Sequence, residues 1–348
     1  MVSNNDFFIK LKSCVEEKTP FISFRHPQSE ALKCYFGSAN KINSFSIPLD
    51  SGFVVMPFDV KKQGYYISKS TTISTKIPKN INKDSLNTSL NLNEKFHSDK
   101  NEYCNKVSKI IKIISQTELV KVVFSKSFKF NLSSNNFDFF FQKLLNQNFA
   151  AFCYLFYHPE EGFWMGASPE TLLEISDKNV TTMALAGTKK RETSEWGNKE
   201  IIEQEIVKEE IIKNLHPLCE NVKTEGPVTI KAGEIDHLKT VITGFSTASV
   251  NDVINAIHPT PAVGGVPKKN ALSIINSLEN HERSLYSGYL GEIDKNRCRL
   301  FVNLRCVNFN QNKATLFVGG GITQESSPEK EWEEIINKSQ TILSSLFN

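Results

Sequence analysis

Phe317-Val-Gly-Gly-Gly-Ile-Thr-Gln-Glu-Ser-Ser-Pro-Glu-Lys-Glu-Trp-Glu-Glu-Ile-Ile-Asn-Lys338 is the stretch around which the chain is organised. It reads as a strand, Ala314 to Val318, then a turn on Gly319, Gly320 and Gly321, a polar loop ending in Ser327-Pro328, and a helix. A glycine run lets backbone approach a ligand closely, because no Cβ intervenes. Ser327 is placed to cap the helix, with Pro328 at its first position. Glu331, Glu334 and Lys338 are spaced i, i+3, i+7 and share one helix face. A glycine turn beside two carboxylates and an ammonium fits an anionic ligand held with a divalent metal. The same spacing also fits a solvated face braced by Glu–Lys pairs.

Working back from this stretch, Tyr289 to Glu292 and Arg299 to Phe309 read as strands. Ala271 to Leu278 and Val250 to Ile257 read as helices. Between them His258-Pro-Thr-Pro-Ala-Val-Gly-Gly-Val-Pro267 is too rich in proline and glycine to be regular. Val228 to Lys231 and Leu238 to Ile242 are strands, and Trp196 to Leu215 is a long helix. Ala186-Gly-Thr188 reads as a tight turn after the strand Val180 to Leu185. Further back come strands Thr171 to Ile175, Gly162 to Ser168, Phe149 to Tyr157 and Val120 to Lys126. Phe137 to Gln147 and Asn101 to Gln116 are helices, the latter with Val107, Ile110, Ile111 and Ile114 on one face. Hairpin-linked strands mix with helices without regular βαβ alternation. That pattern predicts an α+β fold with largely antiparallel sheets. Residues 69–100 turn to Ser, Thr, Asn and Lys and read as a polar loop or linker. Residues 1–68, with a helix from Asp6 and strands at Phe21 to Arg25, 45–58 and 65–68, read as part of the same fold and offer no site.

The 348 residues carry a net charge of +3 with no basic run, so there is no electrostatic footprint for nucleic acid. Hydrophobic residues make up 39 %, enough for a sizeable core, yet no run reaches the length of a membrane span. The seven cysteines are scattered without a CxxC pair, which predicts reduced thiols and a cytoplasmic setting.

Lys121 is a charge in an apolar strand. It fits an edge lysine reaching for water, or a desolvated lysine whose lowered pKa lets it act as a base. Glu170 fits a plain turn carboxylate, or a general acid if burial raises its pKa. Glu200 and Glu203 share a face of the long helix and, with Glu331 and Glu334, form a hard-oxygen set suited to Mg2+. Arg305 fits a fork for a ligand carboxylate or a buried ion pair. His237 fits a core histidine or a polar group in a site.

Together these residues resemble the chorismate-utilising enzymes: isochorismate and salicylate synthases and the large subunits of anthranilate and aminodeoxychorismate synthases. The resemblance runs from about Asn101 to Leu346. It rests on Lys121-Val-Val-Phe-Ser-Lys126, Gly166-Ala-Ser-Pro-Glu170, Leu185-Ala-Gly-Thr188, His258-Pro-Thr-Pro-Ala-Val-Gly-Gly265, Leu304-Arg-Cys306, Gly319-Gly-Gly-Ile322 and Glu331-Trp-Glu-Glu334. It implies large antiparallel sheets packed face to face with helices outside. It also implies that 101–348 is the chorismate-binding catalytic region. Lys at 121 resembles the water-using branch, where ammonia-using enzymes carry Gln. Ala186 argues against aminodeoxychorismate synthases and Ala262 against salicylate synthases. An isochorismate synthase is the reading preferred, a salicylate synthase the runner-up. A silent chorismate-binding protein and an unrelated metal-dependent hydrolase are the readings from other classes.

The resemblance further implies roles. Mg2+ on Glu203 and Glu334, with Glu200 and Glu331 assisting, holds the ring carboxylate. Lys121 is the base and Glu170 the acid. Arg305, Lys338, Tyr286 and backbone near Gly319 and Gly321 hold the enolpyruvyl carboxylate. Gly187, Thr188, His237 and Ala262 line the ring. No glutamine amidotransferase subunit is expected, and a monomer is the default. Menaquinone and siderophore routes both stay open. Lys126, Gln204 and Gly320 depart from the usual Arg, His and Ala, and none of the three is a proposed catalytic group.

Overall fold

The computed structural model describes residues 1–48, 50–77, 93–132, 136–190, 195–232 and 235–347. A helix, α1 (Asn4–Glu16), opens the chain and is capped by Ser3, whose side chain accepts from Asp6 N. Six strands follow: β1 (Phe21–Arg25), β2 (Ala31–Phe36), β3 (Ala39–Ile42), β4 (Gly52–Met56), β5 (Gly64–Ser68) and β6 (Thr72–Lys76). Then come α2 (Asn93–Gln116), β7 (Lys121–Asn131), α3 (Phe137–Gln147), β8 (Phe152–His158), β9 (Gly162–Ser168), β10 (Thr171–Ser176) and β11 (Asn179–Lys190). The next run is α4 (Asn198–Leu215), β12 (Glu220–Ala232), β13 (Ile235–Phe245), α5 (Val250–Ile257), β14 (Gly265–Val266) and α6 (Lys268–Leu278). The chain ends with β15 (Tyr289–Asp294), β16 (Arg297–Val302), β17 (Cys306–Asn310), β18 (Lys313–Ile322) and α7 (Pro328–Phe347).

Among the described residues the strands form two sheets of nine, ordered β14-β7-β18-β17-β9-β8-β1-β2-β6 and β12-β13-β11-β10-β16-β15-β4-β5-β3. The pairings are antiparallel, as the hairpin pattern predicts. Alternation along each strand sends one set of side chains into the space between the sheets. Ile22, Phe24, Phe152, Tyr154 and Phe156 come from the first sheet; Phe53, Val55, Leu290 and Phe301 come from the second. Phe152 stacks on Phe301 with ring centroids 4.1 Å apart. Glu292 is half-hidden in the same seam. Burial alone would raise its pKa, but hydrogen bonds from His26 and Tyr35, both 2.5 Å, hold it at about 2. The helices cover the outer faces and bury a second set of side chains there, among them Phe7, Val107, Phe141, Val207 and Ile335.

Four sequence expectations change. The glycines 319–321 are no turn: β18 continues to Ile322, and Gly319, Gly320 and Gly321 pair with Ser125, Phe124 and Val123 of β7. Ala186-Gly-Thr188 is no tight turn either. It is a β-bulge within β11, where the register against β13 slips between Ala186 and Thr188 and Gly187 takes φ +76°. The run Arg299 to Phe309 breaks at Asn303–Arg305. There the chain leaves one sheet as β16 and enters the other as β17, so Arg305 sits at a crossing, with φ +49°. Finally, 69–100 contains β6 and the start of α2, while 78–92 lie outside the described residues. No helix among the described residues is long and apolar enough to cross a membrane. All seven cysteines are free thiols.

Candidate active site

The cavity lies where β7 and β18 of one sheet face β11 and β13 of the other, under α4 and α7. It measures about 100 Å³. Its walls include Glu170, Gly187, Thr188, Glu203, His237, Ala262, Tyr286, Arg305, Gly319, Gly321 and Lys338. The sequence reading names each of these residues, which come from nine separate segments of the chain.

Lys121 begins β7 and is wholly buried. Its Nζ donates to the Pro261 carbonyl at 3.1 Å and lies 3.2 Å from Glu203 Oε1. Burial lowers its pKa, opposed by Glu203 and then Glu170. Glu170 follows β9 at a turn and is 2 % exposed. Burial pushes its carboxyl up to about 8, with Lys121 opposing, and its Oε1 has no hydrogen-bond partner. Desolvation thus drives the two groups toward each other's usual range: the lysine toward a neutral amine, the glutamate toward a neutral acid.

Gly321 explains how Glu203 reaches this place. A Cβ there would overlap the Glu203 carboxylate and stand 2.9 Å from Lys121 Cε. Without one, the carboxylate comes up close to the backbone of β18 at Gly321.

The other end of the cavity is cationic. Arg305 Nη2 donates to His237 Nε2 at 2.9 Å, and His237 Nδ1 donates to the Gly187 carbonyl at 3.0 Å. His237 is accordingly a neutral ring, its pKa driven to about 3 by burial and then by Arg305 and Lys338. Thr188 Oγ1 lies 3.4 Å from the same Nδ1. Burial lowers the Arg305 pKa to about 10, so it remains a cation at neutral pH. Lys338 Nζ donates to the Gly319 carbonyl at 2.9 Å and pairs with Glu334 Oε1 at 2.7 Å. Tyr286 stacks on Phe317 at 5.4 Å.

The four candidate metal glutamates do not share one point. Glu203 faces the inner cavity, while Glu200, Glu331 and Glu334 line an adjoining outer one of about 740 Å³. Glu200 turns back against Gly197 at the start of its own helix. No ready group of three or more metal-ligating side chains closes among the described residues. Instead, Lys199 stands among them, 2.7 Å from Glu331 Oε1 and 3.8 Å from Glu334 Oε2. Burial disfavours a charge on Lys199, but Glu334, Glu203 and Glu331 outweigh it and raise its pKa. Burial would likewise raise Glu334, yet Lys338 and Lys199 hold it at about 2. Glu331 goes the other way, to about 7, through burial and the neighbouring Glu334. Glu331 Oε2 is buried without a partner. Buried hard oxygens with one acceptor unsatisfied fit a small divalent cation such as Mg2+.

Sequence reading missed Lys199, whose signal was its i, i+4 spacing to Glu203 on α4. It also missed Thr341, which continues the Glu334–Lys338 face of α7 into the cavity wall.

The "Chorismate binding enzyme" family model matches residues 59–347. Isochorismate synthase MenF of Bacillus subtilis is 34 % identical over 209 residues, covering 56 % of this chain and 44 % of that protein. Its namesake from Haemophilus influenzae is 28 % identical over 291 residues, covering 79 % and 65 %. The chain thus spans about half to two thirds of the length of these relatives. In fold it is similar to a putative 2,3-dihydroxybenzoate-specific isochorismate synthase, DhbC, from Bacillus anthracis. That likeness has a TM-score of 0.82 at 24 % identity over 97 % of this chain and 99 % of that one. The model match takes in the strands and helices that build the cavity, and the chain belongs to the chorismate binding enzyme family.

Proposed function

We propose that the chain is a Mg2+-dependent isochorismate synthase, converting chorismate to isochorismate. The observation that carries this reading is the buried pair Lys121 and Glu170, both shifted toward neutrality: Glu170 lines the cavity, and Lys121 lies behind its wall, 3.2 Å from the lining Glu203 carboxylate. Adding water to a ring needs a base, and losing a ring hydroxyl needs an acid.

The ring carboxylate faces Glu203 and the α7 glutamates, and the enolpyruvyl carboxylate lies toward Arg305 and Lys338. Glu203 and Glu334, with Glu331 beside them, would hold Mg2+, which would supply Lewis-acid polarisation of the ring carboxylate; Glu200, turned back against Gly197, is left out of this set. Neutral Lys121 takes a proton from water, whose oxygen bonds to the ring carbon next to the carboxyl-bearing one. Both ring double bonds shift by one position. The C–O bond to the original hydroxyl breaks, and Glu170 gives its proton to the departing oxygen as water. His237, held neutral by Arg305 and Gly187, presents an uncharged wall to the ring. Because water is the nucleophile, this reading needs no ammonia-supplying subunit.

The test is incubation of the purified chain with chorismate and Mg2+, with products resolved by chromatography, alongside Lys121→Gln and Glu170→Gln. Isochorismate from the parent, and formation slowed by roughly 10²-fold or more in either variant, is the expected result. Salicylate with pyruvate would replace the reading with a salicylate synthase. Chorismate bound but unchanged would replace it with a binding protein.

A further inference from the structure

Lys199 occupies a position that the proposed chemistry does not use. It sits one helical turn before Glu203 on α4, with its side chain 18 % exposed. Its ammonium is an ion pair for Glu331 at 2.7 Å and reaches Glu334 at 3.8 Å. These two carboxylates stand one turn apart on α7, 1 % and 16 % exposed at their side chains. Like charges so placed repel, and in a dry setting the repulsion is costly unless a cation lies between them. Lys338 neutralises Glu334 from one side only, through Oε1. Lys199 supplies the compensation from the other side.

An ammonium is a compact point charge, close in role to a small metal ion at a carboxylate cluster. The two cannot share the same few ångströms. Glu331 Oε2 remains without a partner even with Lys199 in place, so one ammonium does not satisfy the cluster. The outer cavity lies beside Lys199 and is lined by Glu195, Asn198 and Glu325. It gives the four-carbon stem somewhere to go.

We propose that Lys199 is a built-in competitor of the divalent cation. It holds the α7 glutamates together before the cation enters and swings toward the outer cavity when it does. Lys199 is in this sense a positioning residue that sets cation affinity, and the proposal rests on the cation site assigned under the proposed function. Removing the charge at 199 strengthens cation binding and weakens the cation-free site.

The experiment is calorimetric titration of the full chain with MgCl2, without chorismate, for the parent, Lys199→Met, Lys199→Gln and Lys199→Arg. MnCl2 with electron paramagnetic resonance serves as a second probe. Loss of charge in Lys199→Met or Lys199→Gln should tighten binding at least tenfold, whereas Lys199→Arg should stay near the parent. Lys199→Met should also melt at a lower temperature than the parent without cation and gain more on adding it. The glutamine variant keeps a polar donor for Glu331, so it tests the idea if the methionine variant does not fold. Unchanged or weaker binding in both uncharged variants would overturn the competitor role. If the parent binds neither cation, with or without chorismate, the cation site falls and the inference falls with it.

Discussion

Lys121 Nζ lies 3.2 Å from Glu203 Oε1, with the lysine side chain 0 % and the glutamate side chain 10 % exposed. One carboxylate therefore touches the proposed base and also belongs to the proposed cation site. It favours the ammonium form of Lys121 against the pull of burial. Glu203→Gln removes that support, so the lysine should lose its proton at a lower pH than in the parent. Nitrogen-15 NMR of the lysine side chain across a pH series reads this directly. An unmoved or raised midpoint would sink the coupling.

A second expectation concerns the rate profile. Lys121 must be neutral and Glu170 protonated. The rate should fall at low pH as Lys121 takes up a proton. It should fall again above about 8, where Glu170 ionises. Glu170→Gln should lower kcat by roughly 10²- to 10⁴-fold and abolish the alkaline limb. A variant that keeps the alkaline limb would assign it to another group.

The same glutamate predicts a stability effect with a definite sign. Glu170 titrates near 4.5 when unfolded and at about 8 when folded. The folded chain binds this proton more tightly. Its contribution is fully present below pH 4.5 and is lost as pH rises toward 8. Glu170→Gln has no such loss. Urea midpoints of the two proteins should diverge in the variant's favour between those values and run parallel above them.

Gly321→Ala places a methyl group on the Glu203 carboxylate and beside Lys121 Cε. We expect a loss of about 1–3 kcal/mol in chemical denaturation, typical of overpacking. Activity should fall as well, because both groups must move. A variant as stable and active as the parent would show that the close approach is dispensable.

Arg305→Lys keeps a charge but loses the planar fork and its hydrogen bond to His237. The KM for chorismate should rise roughly tenfold with kcat changed less, since the lost contact binds ground and transition states alike. Steady-state kinetics decide this. A fall in kcat alone would place Arg305 in the chemical step.

Much of the fold and the cavity was legible because the relevant patterns are local. Apolar alternation gave most strands of the second half, and of the seven short motifs six reach the cavity wall and the last lines the outer cavity. Three features were hidden for physical reasons. Glycine is poor in strands, so Gly319 to Gly321 read as a turn, yet backbone pairing with β7 carries β18 through them. Apolar and polar residues mix in both β16 and β17, so Asn303 and Arg305 at the change of sheets read as two more polar positions of one continuous strand. Lys199 sits in a helix full of charges, and its special partners lie on α7, far away in sequence.

The strand order has a consequence for how the molecule forms. The cavity occupies one flank of both sheets, and the first 76 residues supply the opposite flank of both. Phe21 pairs with Tyr157, and Gly52 pairs with Ile293. Segments made early must wait for partners made much later, which gives the chain a high contact order and a slow route to its native state. A fragment starting at α2 would contain every proposed catalytic group. It would also leave β8 and β15 as bare edges, open to pairing with other molecules. Its defect would be aggregation, with the reacting groups intact.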